Sequence, residues 1–254
     1  MERTPVGARS RRAAALTVLA ACAFGNAAAD EAESREACGS LVDLAAPGYH
    51  VDTAEWVAAT SQPSGPGRPA APAHCLFRVT LDARPSTIDG VTLGTGFELR
   101  LPLDWNGRFL FQGGGGLNGS LNAAVGNVSG APSALQRGFA VVSTDGGHRG
   151  RSIVDSSFAL DQQAKLAFAY QAVQRSTYEA KDIIDRFYGR APDYSYFMGC
   201  STGGREGMMA AQRLPLEFNG IVAGDPAFNL TRNSIRSPQR SRPSATRSMD
   251  WPTA

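Results

Sequence analysis

No apolar run in the 254-residue sequence is long enough to cross a bilayer. The best candidate, Ala13 to Ala23, is about half the ~20 residues a spanning helix needs. Charge of one sign is also lacking: 25 Lys and Arg face 23 Asp and Glu, a net +2, and much of the basic excess sits at the two ends. With no basic stripe interleaved with aromatics, nucleic acid is excluded as a partner. No segment repeats. Cysteine is sparse, at Cys22, Cys38, Cys75 and Cys200. What remains, 43% hydrophobic and 19% charged residues, is the composition of a soluble globular protein of one or two domains.

Residues 1–29 read as a secretory signal peptide rather than as part of the fold. Arg9, Arg11 and Arg12 give the positive start, Ala13 to Ala23 the apolar centre, and Ala27-Ala28-Ala29 the small-residue cleavage site. Leu19-Ala20-Ala21-Cys22 also has the form of a lipobox, the alternative being a lipidated Cys22. The Arg11-Arg12 pair leaves twin-Arg export open. Either way the protein is expected outside the cytoplasm, periplasmic or secreted, where disulfides persist. Cys38 and Cys75 can then pair and staple the N-terminal segment to the first strand, which leaves Cys200 as the odd cysteine.

Residues 30 to about 60 mix short apolar and acidic groups and read as loosely structured. Ser61 to Pro72 reads as a Pro/Gly/Ser connector. Alternation then predicts half-buried strands at 76–81 and 96–101. The short apolar runs Arg108 to Phe111 and Phe139 to Val142 suit strands buried on both faces of a parallel sheet. Ser176-Thr177-Tyr178-Glu179 has the form of a capping box. It opens a predicted helix whose apolar face is Ala180, Ile183, Ile184, Phe187 and Tyr188, and which Gly189 ends. A strand at Tyr194 to Met198, a helix at Gly203 to Leu214 and a strand at Gly220 to Ala223 complete the pattern. Strands alternating with helices predict an α/β fold with a mostly parallel sheet flanked by helices. From about residue 232 the pattern collapses into Ser, Arg and Pro, an aberrant or disordered tail by composition.

Gly199-Cys200-Ser201-Thr202-Gly203 fits G-x-S-x-G, the nucleophile elbow, and the flanking strand and helix are the setting that motif requires. Ser201 is therefore the candidate nucleophile, at a helix N-terminus where free N–H groups favour negative charge. Gly113 to Gly116, directly after the Arg108 to Phe111 run, would supply one backbone donor of an oxyanion hole, from Gly114 or Gly115. The N–H of Thr202 would supply the other.

FMGCSTGGREGMMAAQRLP together with FNGIVAGDPAFN resembles the tannase and feruloyl esterase family of α/β hydrolases. FQGGGGLNG, STDGGH and the helix ending in RFYGRAP fit the same family in the same order, so the resemblance runs from about Cys38 to about Thr231. It implies an α/β-hydrolase sheet and a serine carboxylesterase that cleaves small aromatic esters, hydroxycinnamoyl or galloyl-like, through an acyl-enzyme on Ser201. No cofactor is implied for the chemistry. The family's N-terminal disulfide would correspond to Cys38–Cys75. A second family disulfide joins the cysteine before the serine to one before the triad histidine, so Cys200 would have lost its partner here.

The resemblance also implies a triad Asp and His downstream of a large lid that often binds calcium, and the sequence stops where that lid is expected to begin. Residues 30–231 then make up the N-terminal part of the catalytic domain, with an incomplete sheet and no metal site. His50, His74 and His148 all precede Ser201, whereas the hydrolase order is Ser, acid, His. His148 is expected to be structural or site-lining, His74 to be a surface histidine, and Asp225 to mimic a displaced acid at best. A Cys200-based enzyme is disfavoured because that elbow position points away from substrate. The alternative to an active esterase is a truncated, inactive remnant without the triad Asp and His.

Overall fold

The computed structural model describes residues 30–61, 70–86 and 92–228. The signal peptide with Cys22, most of the 61–72 connector and the tail from residue 232 lie outside the described residues.

The 30–60 segment is ordered, contrary to expectation. Residues 30–40 form helix α1, a 3-10 turn follows at Leu41–Leu44, and β1 runs over Tyr49–Val57. Its strand character comes from Tyr, Val, Thr and Trp at positions paired with β2 (His74–Pro85). The Cys38–Cys75 disulfide ties α1 to β2, with both sulfurs buried in the main core.

Seven strands form one sheet in the order β1-β2-β3-β5-β4-β6-β7, with β3 at Thr92–Pro102, β4 at Arg108–Gln112, β5 at Ala140–Thr144, β6 at Tyr194–Cys200 and β7 at Gly220–Gly224. The first half, through the β3–β5 pairing, is antiparallel. The second half, β5-β4-β6-β7, is parallel. This is the expected α/β fold, with parallel pairing confined to the half that carries the site.

The strand periodicity sorts side chains between two cores. Phe97, Leu99, Leu101, Phe109, Phe111, Ala140, Val142 and Phe197 face one side, where they meet Ala180, Ile183 and Ile184. Leu110 and Val141 face the other, covered by Ala124, Val125, Ala134, Leu135 and Phe139. The helices Ala172–Tyr188 and Thr202–Arg213 therefore both pack on one face, while the segment from 124 to 139 covers the opposite one. Burial on both faces explains the apolar runs Phe109 to Phe111 in β4 and Ala140 to Val142 in β5, with the polar residues at the strand ends.

The long helix begins earlier than the capping-box pattern predicts. Helix α2 (Gln162–Leu166), a π turn (Ala167–Gln171) and α3 (Ala172–Tyr188) follow without a break. Asp161 is the cap: its carboxylate accepts from the Ala164 N–H at 2.9 Å and is paired with Arg84. Ser176 and Glu179 lie well inside the continuous helix, and the fully buried Ser176 hydroxyl has no partner among the described residues. Gly189 ends α3 in the left-handed conformation, φ 69°, as the sequence predicts. Arg205 of α4 (Thr202–Arg213) donates to the Phe168 and Ala169 carbonyls, which joins the π turn to the helix after the elbow.

Candidate active site

Strand β6 delivers the chain into the elbow, and α4 carries it away. Ser201 sits between them at φ 58°, ψ −117°, a conformation that L residues rarely hold and that projects the side chain from a sharp turn. The turn is fixed by backbone on both sides. The Ser201 N–H donates to the Gly224 carbonyl at 3.1 Å, and the Ser201 carbonyl accepts from Arg205 N–H at 3.0 Å and Ala227 N–H at 2.9 Å. The glycines of the motif are steric requirements. A Cβ at Gly199 would lie 2.5 Å from the Gly203 carbonyl, and one at Gly203 would lie 2.8 Å from the Gly114 oxygen. Ser201 is exposed, so its hydroxyl is open to a reactant.

The glycine run lies directly against this turn. Gly113 N–H donates to the Met198 carbonyl at 2.9 Å, Gly203 N–H donates to the Gly114 carbonyl at 3.0 Å, and the Thr202 hydroxyl donates to the Gly116 carbonyl. The sequence therefore pairs the right segments. Of the three proposed oxyanion donors, one is already engaged: Gly114 N–H donates to the Glu206 carboxylate at 2.9 Å. The Gly115 N–H and the Thr202 N–H, the first of α4, have no acceptor among the described residues. Of the three candidates, Thr202 and Gly115 are therefore the two whose N–H groups are uncommitted among the described residues.

Two residues at the site escaped sequence reading. Glu206 is buried under the elbow, and Asn118 Nδ2 donates to its second oxygen at 2.7 Å. Burial pushes the Glu206 carboxyl up, while the Gly114 N–H, Arg205 and Asn118 pull it back. Asn118 holds φ 54°, and its side chain fills the space that a Cβ on Gly114 or Gly146 would need.

The histidines are held in other contacts. His148 is 1% exposed, stacks on Phe158 at 3.8 Å between centroids and meets the edge of Phe168. Burial lowers its pKa to about 4, against the opposing pull of the Gly146 and Leu117 backbone and of Asp155. His74, expected at the surface, is fully buried: Nδ1 bonds the Pro72 carbonyl at 2.7 Å and Nε2 meets Arg100. His50 is exposed on β1, five strand positions from β6, about 24 Å at ~4.8 Å per strand. Asp225 adjoins the elbow, exposed at φ 38° after the carbonyl that holds Ser201 N–H. Cys200 is free and exposed. No group of three or more His, Cys, Asp or Glu that could hold a metal ion converges among the described residues. No described helix is long and apolar enough to cross a membrane.

A family model described as tannase and feruloyl esterase matches residues 78–254. The chain belongs to the tannase and feruloyl esterase family. Mono(2-hydroxyethyl) terephthalate hydrolase from Piscinibacter sakaiensis is 44% identical over 194 residues, which cover 73% of this chain and 32% of that relative. Feruloyl esterase B from Aspergillus niger is 39% identical over 155 residues, 61% of this chain and 27% of the relative. Among solved structures, feruloyl esterase B from Aspergillus oryzae superposes with a TM-score of 0.62 at 29% identity, covering 78% of this chain and 38% of that one. The tannin acyl hydrolase from Aspergillus niger gives a TM-score of 0.51 at 28% identity, covering 78% and 36%. The chain thus spans about a third of the length of the curated relatives it matches.

Proposed function

We propose that this chain carries the nucleophile and oxyanion hole of an exported carboxylic ester hydrolase that cleaves aromatic esters, hydroxycinnamoyl or galloyl-like. The observation that carries the reading is Ser201 at φ 58° on the strand-to-helix turn, beside two uncommitted N–H groups. Ser201 Oγ attacks the ester carbonyl, and the resulting oxyanion lies against the N–H groups of Thr202 and Gly115. The Oγ proton passes to a base and on to the leaving alcohol, which leaves the acyl group on Ser201 for water to release. The chemistry calls for no cofactor. The aromatic acyl class is suggested by relatives named feruloyl esterase and tannin acyl hydrolase. The Cys38–Cys75 disulfide suits an oxidising compartment.

The second reading is a chain whose Ser201 lacks a base. Among the described residues His148 stacks on Phe158, His74 bonds the Pro72 carbonyl, and His50 lies five strand positions from β6. A nucleophile without its base retains roughly 10³–10⁴-fold catalysis over water from binding and the oxyanion hole. On that reading the chain is a catalytically poor remnant. Hydrolysis of methyl ferulate and of a p-nitrophenyl ester, each compared with Ser201→Ala, separates the two. Turnover that disappears in Ser201→Ala supports the esterase. Rates indistinguishable from Ser201→Ala support the remnant.

A further inference from the structure

Glu206 has no part in the acyl-transfer scheme, yet a buried carboxylate is costly unless its oxygens are satisfied. Here both are. Oε2 accepts from Gly114 N–H at 2.9 Å and Oε1 from Asn118 Nδ2 at 2.7 Å, and the side chain is 1% exposed. Those donors stand at either end of the turn that contains Gly115. The turn's other polar groups are also engaged. Gly114 C=O accepts from Gly203 N–H, Gly115 C=O accepts from Asn118 N–H at 2.9 Å, and Gly116 C=O accepts from the Thr202 hydroxyl. Gly115 itself has open space where a side chain would be, so packing does not hold it. Four consecutive glycines would leave this loop conformationally free in isolation. Only the bonds to its neighbours fix the direction of the Gly115 N–H.

We propose that Glu206, acting through Gly114 and Asn118, is a positioning residue that clamps the glycine loop to α4 and so holds the Gly115 N–H as an oxyanion donor. The inference rests on the serine-esterase reading. Glu206 lies on the helix that begins at Thr202, so the clamp references one donor to the other. The two N–H groups come from segments almost 90 residues apart, and the carboxylate joins them across one turn of helix. A preorganised pair avoids reorganisation when charge develops on the substrate oxygen. Asn118 Oδ1 is buried without a partner. A Gln at 206 can therefore keep the clamp: its Oε1 accepts from Gly114 N–H, and its amide N–H donates to Oδ1 after the Asn118 amide turns over.

The test follows covalent labelling of Ser201 in the full chain by a fluorophosphonate, resolved into probe affinity and the rate of the bond-forming step. Glu206→Ala should slow that step about 100-fold, the scale of losing one oxyanion donor, with probe affinity little changed. Glu206→Gln should recover most of the rate. If Glu206→Ala does not fold, Glu206→Asp serves instead: its shorter side chain keeps the charge but cannot reach both donors, and the rate should again fall at unchanged affinity. Glu206→Ala or Glu206→Asp labelling as fast as wild type, or Glu206→Gln as slow as Glu206→Ala, would overturn the clamp and leave the esterase reading standing. A wild-type chain unlabelled at Ser201, or equal labelling in Ser201→Ala, would remove the esterase reading and the clamp together.

Discussion

His148 shows how burial acts on a titratable side chain. Its ring lies stacked on Phe158, and burial lowers its pKa from 6.5 to about 4. The unfolded chain therefore binds a proton between pH 6.5 and 4 that the native protein refuses, so this residue lowers stability as pH falls through that window. Asp145, three residues earlier, has its pKa raised to about 7 by burial and acts in the opposite sense, so the wild-type profile mixes the two. His148→Phe keeps the stack and isolates the histidine. Relative to wild type, denaturant unfolding should show the variant gaining up to about 3 kcal/mol from pH 7 to pH 4. A pH-independent difference would mean that His148 is solvated. At this scale the strand-to-helix turn at Ser201 was legible because the elbow is a local pattern of five residues. Glu206 and Asn118 were not, because their bonds link positions 92 and 88 residues apart and nothing nearby in sequence marks them. His74 was misplaced for a similar reason: β2 is covered on both sides by β1 and β3, which a reading of His-Cys alone cannot see.

Among the elements, those with strong periodicity were placed correctly and those set by long-range contacts were not. The runs at 76–81 and 96–101, read as half-buried, are buried on both faces. The apolar stripe Ala180, Ile183, Ile184 belongs to α3 as predicted, since an i, i+3, i+4 face needs only its own residues. The start of the helix was misjudged because Ser176 and Thr177 imitate a cap. In the fold, Thr177 Oγ1 bonds back to the Val173 carbonyl at 2.7 Å, the interaction a hydroxyl makes inside a helix. The actual start needs Asp161, whose carboxylate is held by Arg84 from 77 residues away. Residues 30–60 read as loose because α1 and β1 gain their burial from β2 and the disulfide rather than from their own pattern. That disulfide closes a separation of 37 residues. Replacing Cys38 and Cys75 by Ser should lower stability by about 4 kcal/mol on chain-entropy grounds, read from denaturant midpoints of the oxidised chain and the double variant. No difference would mean that α1 is held by packing alone.

For the molecule as a whole, the half of the sheet that carries Ser201 ends at β7, which has no further strand beside it among the described residues. Val222 is 62% exposed there, and Phe228 is exposed just beyond it. An apolar edge exposed in this way among the described residues invites pairing between chains. Val222→Lys should reduce concentration-dependent association in light scattering without changing the melting temperature, whereas unchanged association would place the contact elsewhere. The fold class was legible because buried parallel strands and the elbow leave unmistakable runs. The antiparallel half was not, since alternation alone does not say which neighbour a strand pairs with. The account depends most on Ser201 as the nucleophile. The direct measurement is fluorophosphonate labelling of the folded chain with the modified residue mapped by mass spectrometry. The account predicts an adduct on Ser201 that is absent in Ser201→Ala. A folded chain that takes no label, or that labels equally in Ser201→Ala, would contradict it.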